Sequence, residues 1–277
     1  MESQLQYAGT TLTDNLAEAS LDAGAVGELV PENQRRRVIA LVGMAFEAKI
    51  AAGPGVLVVC RGAGCEIATA AENAVRQGYR GIISFGVAGG LAPALRTGDW
   101  VVASTILEAQ SIRHTDAAWS SKLLDLIAGA CYAPILGVDA PVAQPATKRE
   151  LHGATGAAAV DMESHVVARV AAAHGLAFAS VRVIVDAADR TIPRAALLGM
   201  GSGGPTNVSA VLCDLVARPA QLSPLARLAW DAFAARAEML RVRRLLGPHF
   251  GLLEPAERTV RMSTDGLVAA PGLTPAR

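Results

Sequence analysis

The sequence is short of several things, and each shortage narrows its class. Acidic and basic residues balance, 25 against 25, so no excess charge argues for a nucleic-acid partner. Four cysteines occur in 277 residues: Cys60, Cys65, Cys131 and Cys213. They lack metal-ligand spacing and read as reduced, mostly buried residues of a cytosolic protein. No run is long and apolar enough to span a bilayer. The N-terminal stretch is polar and acidic, without an apolar signal core. Aromatic residues make up only 4% of a chain that is 52% apolar. Rich in Ala, Val, Leu and Gly instead, it suits a fully buried parallel or mixed sheet covered by Ala-rich helices. No internal repeat is present.

What is there divides into four stretches. Residues 1–36 are polar and aperiodic, ending beside Arg35-Arg36-Arg37, and read as a mobile N-terminal arm. Residues 37–221 form the main domain. Residues 222–253 hold a basic helix, expected over 224–246, with Arg227, Arg236, Arg241, Arg243 and Arg244 against Asp231 and Glu238. It reads either as a surface helix packed on the domain or as a basic amphipathic helix on a membrane surface. Residues 254–277 read as a disordered tail.

Within the main domain, VIALVGM from Val38 and VLVVC (56–60) are buried strands. The second runs into Arg61-Gly62-Ala63-Gly64 and a helix from Glu66 to Gln77. A strand, a Gly-rich turn and a helix N-terminus also make an anion-binding geometry, although a plain tight turn has the same pattern. GIISFGV (81–87) is a third strand, leading into a glycine shelf where a flat ligand can approach the backbone. Asp99 fixes the turn before a strand at 100–105. Residues 106–119 are expected to be a loop in which His114 and Asp116 are solvated or touch a ligand. A helix is expected over 120–130, a strand over 132–138, loops over 140–148 and 191–208, and a helix over 208–217.

Acids stand where apolar runs end: Glu47 after the first, Glu163 after the run closing at Asp161, and Asp186 after Phe178 to Val185. Strand ends of an α/β sheet converge on a ligand crevice. Carboxylates around such a crevice suit glycosidic chemistry, one protonating a leaving group while another activates a nucleophile or binds sugar hydroxyls. Asp186 also reads as a helix N-cap.

These motifs resemble a known family. Ser84-Phe85-Gly86-Val87-Ala88-Gly89-Gly90-Leu91-Ala92-Pro93 followed by Gly98-Asp99-Trp100-Val101-Val102 is similar to the core signature of the purine nucleoside phosphorylase and methylthioadenosine/adenosylhomocysteine nucleosidase superfamily. Val160-Asp161-Met162-Glu163-Ser164 resembles its ribose-binding motif. Val181 to Asp189 resembles the motif that protonates the purine. The resemblance spans about residues 38–215. It implies a three-layer α/β/α phosphorylase/hydrolase-like fold with a mixed central sheet. It also implies that Asp186 serves the purine N7, that Glu163 binds the ribose hydroxyls with Met162 against the sugar, and that Ala88, Gly89 and Val142 line the base pocket. Glu47 resembles the acid that activates water. No cofactor or metal is implied, and inorganic phosphate is a co-substrate only if the enzyme is a phosphorylase. A homodimer or larger assembly is expected, with a neighbouring subunit able to contribute to the pocket.

GMAFEAKIAAGPGV, FGVAGGLAPALRTGD, DMESHVVARVAAAHGL and MLRVRRLLGPHFG look most like the hopanoid-associated branch. That resemblance implies adenine removal from adenosylhopane to give ribosylhopane, in the cytoplasm or at the inner face of the membrane. Phosphorolysis to phosphoribosylhopane, and a nucleosidase for methylthioadenosine or adenosylhomocysteine, are the alternatives. So is a nucleoside-binding protein without activity. Hexameric phosphorylases hold phosphate with an arginine and a serine near the strand matching 84–87, where this chain has Ser84 and Val87. Those side chains supply no charge-assisted bonds to a phosphate dianion. Arg61 with Gly62 and Gly64 is the remaining anion or water site, and Glu47 favours water.

Overall fold

Apolar runs buried on both faces build the centre of the molecule. In the computed structural model, which describes residues 37–60, 67–199, 222–254 and 257, all five residues of β1 (Val38–Val42) are buried. Beside it lie β2 (Val56–Cys60) and β3 (Gly81–Gly90), both parallel to β1. The remaining strands are β4 (Trp100–Glu108), β5 (Ser111–His114), β6 (Cys131–Gly137), β7 (Ala159–Asp161) and β8 (Ala177–Asp186). The strand order is β2-β1-β3-β7-β6-β4-β5, and β8 pairs with both β3 and β4. Strands β3, β8, β4, β6 and β7 therefore close a ring of mixed parallel and antiparallel pairs.

Alternation within the strands sorts their side chains to two layers. Val38, Ala40 and Val42 face one apolar cluster, which holds Ile50 and Ala51 of α1 (Ala45–Ala51), Trp119 and Leu123 of α3 (Ala117–Leu126), and Met239 and Val242 of α7 (Leu222–Leu245). Ile39 and Leu41 face the other, with Ala71 and Ala74 of α2 (Ile67–Arg76) and Val167, Ala168 and Ala171 of α5 (Ser164–His174). The fold is thus a mixed sheet between helical layers, as the resemblance implied. Two further helices, α4 (Pro145–Thr155) and α6 (Arg194–Gly199), follow β6 and β8. Gly156 and Gly175 end α4 and α5 in the left-handed conformation, which a residue without Cβ adopts at little cost.

Several expectations need correction. Residues 106–119 are not a loop: β4 runs to Glu108, turns at Ala109 and Gln110, and returns as β5. Ala109 makes the turn at φ +42, without the Asn-Gly or Gly signal that marks a tight hairpin. The loop expected at 140–148 ends at Pro145, where α4 begins with proline in its first turn; proline suits that position because its missing N–H has no partner there anyway. Within the expected 191–208 loop, residues 194–199 are α6. Cys60 and Cys131 are free but only half-buried. The arm at 1–36, the helix expected at 208–217, Cys65, Cys213 and most of the tail lie outside the described residues.

Helix α7 has two apolar sides. Met239, Val242 and Leu246 are buried, and the chain beyond carries Phe250 into the same core. There Trp119 Nε1 donates to Phe250 O at 2.8 Å and Arg243 lies over the Phe250 ring at 4.3 Å. Trp230 and Phe233 are 72% and 67% exposed. The helix is packed on the domain through one stripe, while a second apolar stripe faces outward.

Candidate active site

Three of the strands end at one place. Arg182 and Ile184 share a face of β8, because side chains two apart point the same way; the register shift that pairs Asp186 with Gly89 turns Asp186 to the other face. Arg182 and Asp186 lie four residues apart, about 13 Å along a strand, and define the two ends of the site.

At the Arg182 end, the guanidinium is fully buried. Its Nε is 2.6 Å from Asp161 Oδ2 and its Nη2 is 3.4 Å from Glu163 Oε2. Nη2 also donates to Ser84 Oγ at 2.5 Å. Ser164 Oγ bonds to Asp161 and lies 2.8 Å from Ser180 Oγ. Burial opposes the Arg182 charge, but Asp161, Glu163 and Glu47 more than offset it and hold its pKa above the ordinary arginine value. One cation thus faces three acids.

Glu47 is the third residue of α1 and is 1% exposed. Its Oε2 accepts from Gly43 N and Met44 N, both at 2.8 Å, and its Oε1 accepts from Val87 N at 2.8 Å. The Met44 bond is half of a capping box, in which an acid three residues into a helix reaches back to the cap N–H. Burial raises the Glu47 pKa, against the opposing effects of Arg182 and the three backbone donors. Two glycines let these groups meet. A Cβ on Gly86 would lie 2.5 Å from both Arg182 Nη1 and Glu47 Oε1, and one on Gly43 would lie 2.7 Å from Glu163 Oε1. Met162 and Glu163 are half-buried between β7 and α5.

At the other end, Asp186 is 3% exposed. Its carboxylate lies over Gly89, 3.3 Å from where a Cβ would stand. The register between β3 and β8 shifts between Ala88 and Gly89, an irregularity of the kind that re-aims side chains beside functional sites. Burial pushes the Asp186 carboxyl up to about 6, with Lys148 pulling down and Asp231 pushing up. Such a carboxyl holds or releases a proton near neutrality and can protonate a leaving group. Val142 lies in the segment before α4 and packs with Leu91, Leu136 and Val160 beneath this end.

Glu47 and Glu163 thus gather around Arg182, while Asp186 stands against Gly89, farther along the same pair of strands. Arg61, Gly62 and Gly64 lie outside the described residues. Asp116 caps α3 by accepting from Trp119 N at 2.9 Å. With His114 and Arg113 it lines a cavity of about 430 Å³, but Asp116 N bonds to Phe178 O at the opposite end of β8. Among the described residues no group of three or more His, Cys, Asp or Glu is placed to hold a metal ion.

Two residues of the site escaped sequence reasoning. Arg182 was visible as a lone charge in an apolar strand, a pattern that asks for a buried partner. Lys148 gave no such sign. It is fully buried at the start of the polar helix α4 and forms an ion pair with Asp186.

The phosphorylase superfamily profile matches residues 20–216, well over half the chain. The chain belongs to the phosphorylase superfamily. No curated protein sequence matches it. Among solved structures, this superfamily enzyme is similar to the Helicobacter pylori 5′-methylthioadenosine/S-adenosyl homocysteine nucleosidase, at TM-score 0.52 and 17% identity over 75% of this chain and 97% of that one. It is also similar to a mutant of Helicobacter pylori futalosine hydrolase, at TM-score 0.52 and 15% identity over 77% of this chain and 98% of that one. At such identities the likeness shows the fold.

Proposed function

We propose that this protein cleaves the N-glycosidic bond of a 5′-substituted adenosine by hydrolysis and releases adenine. The observation that carries this reading is Asp186: a buried carboxyl raised to about 6, set over Gly89 of the glycine shelf, with Lys148 on one of its oxygens. The purine lies between Ala88, Gly89 and Val142. Glu163 takes the ribose hydroxyls, and Met162 packs on the sugar. Asp186 gives its proton to N7 as the C1′–N9 electron pair moves into the purine. Water attacks C1′ and passes a proton to Glu47, whose three backbone donors leave one lone-pair position open. Proton and electron counts close with adenine and the free sugar as products.

Water is favoured over phosphate by charge. A phosphate dianion at this end would meet three acids sharing Arg182, and uncompensated like charges at close range are costly. Arg61, Gly62 and Gly64, outside the described residues, are a candidate for a compensating anion site, and phosphorolysis to phosphoribosylhopane is the alternative if they bind phosphate.

The four segments resembling the hopanoid-associated branch support adenosylhopane as substrate and ribosylhopane as product. The outward side of α7 supports contact with an anionic membrane surface. It presents Trp230, Phe233, Leu240 and Leu245 beside the exposed Arg227, Arg236, Arg241 and Arg244, and basic and aromatic residues together suit a lipid interface. No described helix is long and apolar enough to cross a membrane. A homodimer or larger, at the cytoplasmic face, completes the reading. The test is product analysis with adenosylhopane, methylthioadenosine and adenosylhomocysteine, each with and without phosphate. Phosphate-independent release of adenine and ribosylhopane is expected. Strict phosphate dependence overturns the hydrolytic assignment, and preference for the two soluble nucleosides overturns the lipid one.

A further inference from the structure

We propose that Lys148 is a positioning residue for leaving-group protonation: it takes one oxygen of Asp186 and leaves the transferable proton on the other, facing the base. This rests on the reading of Asp186 as the proton donor.

Lys148 is the fourth residue of α4 and is fully buried. A buried ammonium is costly unless its charge is matched and its donors are filled. All three N–H bonds of Lys148 have acceptors: Asp186 Oδ2, Ala187 O at 2.9 Å and Arg190 O at 3.1 Å. The side chain therefore ties α4 to the end of β8 and to the segment that follows. Asp186 Oδ1 takes no hydrogen bond from the described residues. It lies against the shelf, 3.4 Å from where a Cβ on Gly89 would be.

The two oxygens are thus unlike. A proton on Oδ2 would point at a cation, so a protonated Asp186 carries it on Oδ1. In the transfer, the Oδ1–H bond breaks and its electron pair stays on the carboxylate while N7–H forms. Lys148 then faces the new carboxylate through Oδ2, where no water is needed to stabilise it. Among the described residues, the charged groups acting on Asp186 are Lys148 of α4 and Asp231 of α7; β3 presents only the backbone of Gly89. Lys148 opposes the effect of burial, so its removal leaves Asp186 a weaker acid, protonated to higher pH.

The test compares Lys148→Met with the wild type on two leaving groups. Release of adenine from methylthioadenosine requires protonation; release of 4-nitrophenolate from 4-nitrophenyl β-riboside does not. Adenine release is expected to fall about 100-fold or more, as for loss of general-acid assistance, with nitrophenolate release nearly unchanged and Lys148→Arg restoring most of the loss. The alkaline limb of kcat/KM for adenine release is expected to move up by about 1–3 pH units. Equal losses on both substrates, or an unmoved limb, overturn the proposal. If Lys148→Met does not fold, Lys148→Gln, which keeps a neutral donor, is read in the same way. A carbon-13 NMR titration of the Asp186 carboxyl in wild type and Lys148→Gln separates the two ideas without turnover. An unchanged titration overturns the role of Lys148 even in an active enzyme. An upward shift in a protein that cleaves no purine nucleoside upholds that role and overturns the functional reading.

Discussion

Replacing Asp186 by Asn changes how stability depends on pH, and the change can be worked from the structure. The carboxyl is raised from 3.8 to about 6 in the folded protein. Between those values the folded state holds more protons than the unfolded state, so stability falls as pH rises. The span is 2.2 pH units, and at about 1.4 kcal/mol per unit the total is about 3 kcal/mol. Most of this falls between pH 4 and pH 7.5. Asp186→Asn also removes the anionic partner of Lys148, but that offset is constant across this window. The readout is therefore the slope. Urea unfolding of both proteins at several pH values should show the wild type losing about 2 kcal/mol relative to the variant between pH 4 and pH 7.5. Parallel curves, or a wild type that gains on the variant as pH rises, would refute the account of Asp186 as a carboxyl kept protonated by burial.

Other changes test the rest of the site. Gly86→Ala places a methyl 2.5 Å from Arg182 Nη1 and Glu47 Oε1; both are pinned by buried partners, so a loss of about 1–3 kcal/mol is expected, and an unchanged denaturation midpoint contradicts the packing. Arg182→Met leaves Asp161, Glu163 and Glu47 without their shared cation. Breaking a buried pair in this way costs about 3–5 kcal/mol, measured by chemical unfolding, and a loss under about 1 kcal/mol would show that the cluster is not the buried charge network drawn here. Glu163→Gln keeps the size but loses charged bonds to sugar hydroxyls, each worth about 1.5–3 kcal/mol. The expected result is a kcat/KM for adenine release lower by roughly 10- to 100-fold in a folded protein, and a value equal to wild type removes Glu163 from the sugar site.

The acids of the site were legible because each stands where an apolar run stops, and the ends of buried strands share an edge of the sheet. Glu47 was legible as an acid at such an end, though not as the cap of α1 that accepts three backbone N–H bonds, since capping depends on the turn the chain makes after Gly43. Lys148 was hidden for a physical reason. The helix that carries it has polar residues on most sides and no apolar period, and only the fold brings its one buried side chain to Asp186. The β4–β5 hairpin was hidden because Ala109 takes a conformation usually left to glycine or asparagine. In α7 the pattern showed many apolar residues without saying that they form two stripes, one packed against Phe250 and its neighbours and one facing out.

The central claim is that Asp186 protonates a departing purine. The most direct measurement is the rate of adenine release from a 5′-substituted adenosine at pH 6–7, wild type against folded Asp186→Asn. Adenine release by the wild type is expected, with a rate lower by at least about 100-fold in the variant. A variant within a few-fold of wild type would contradict it.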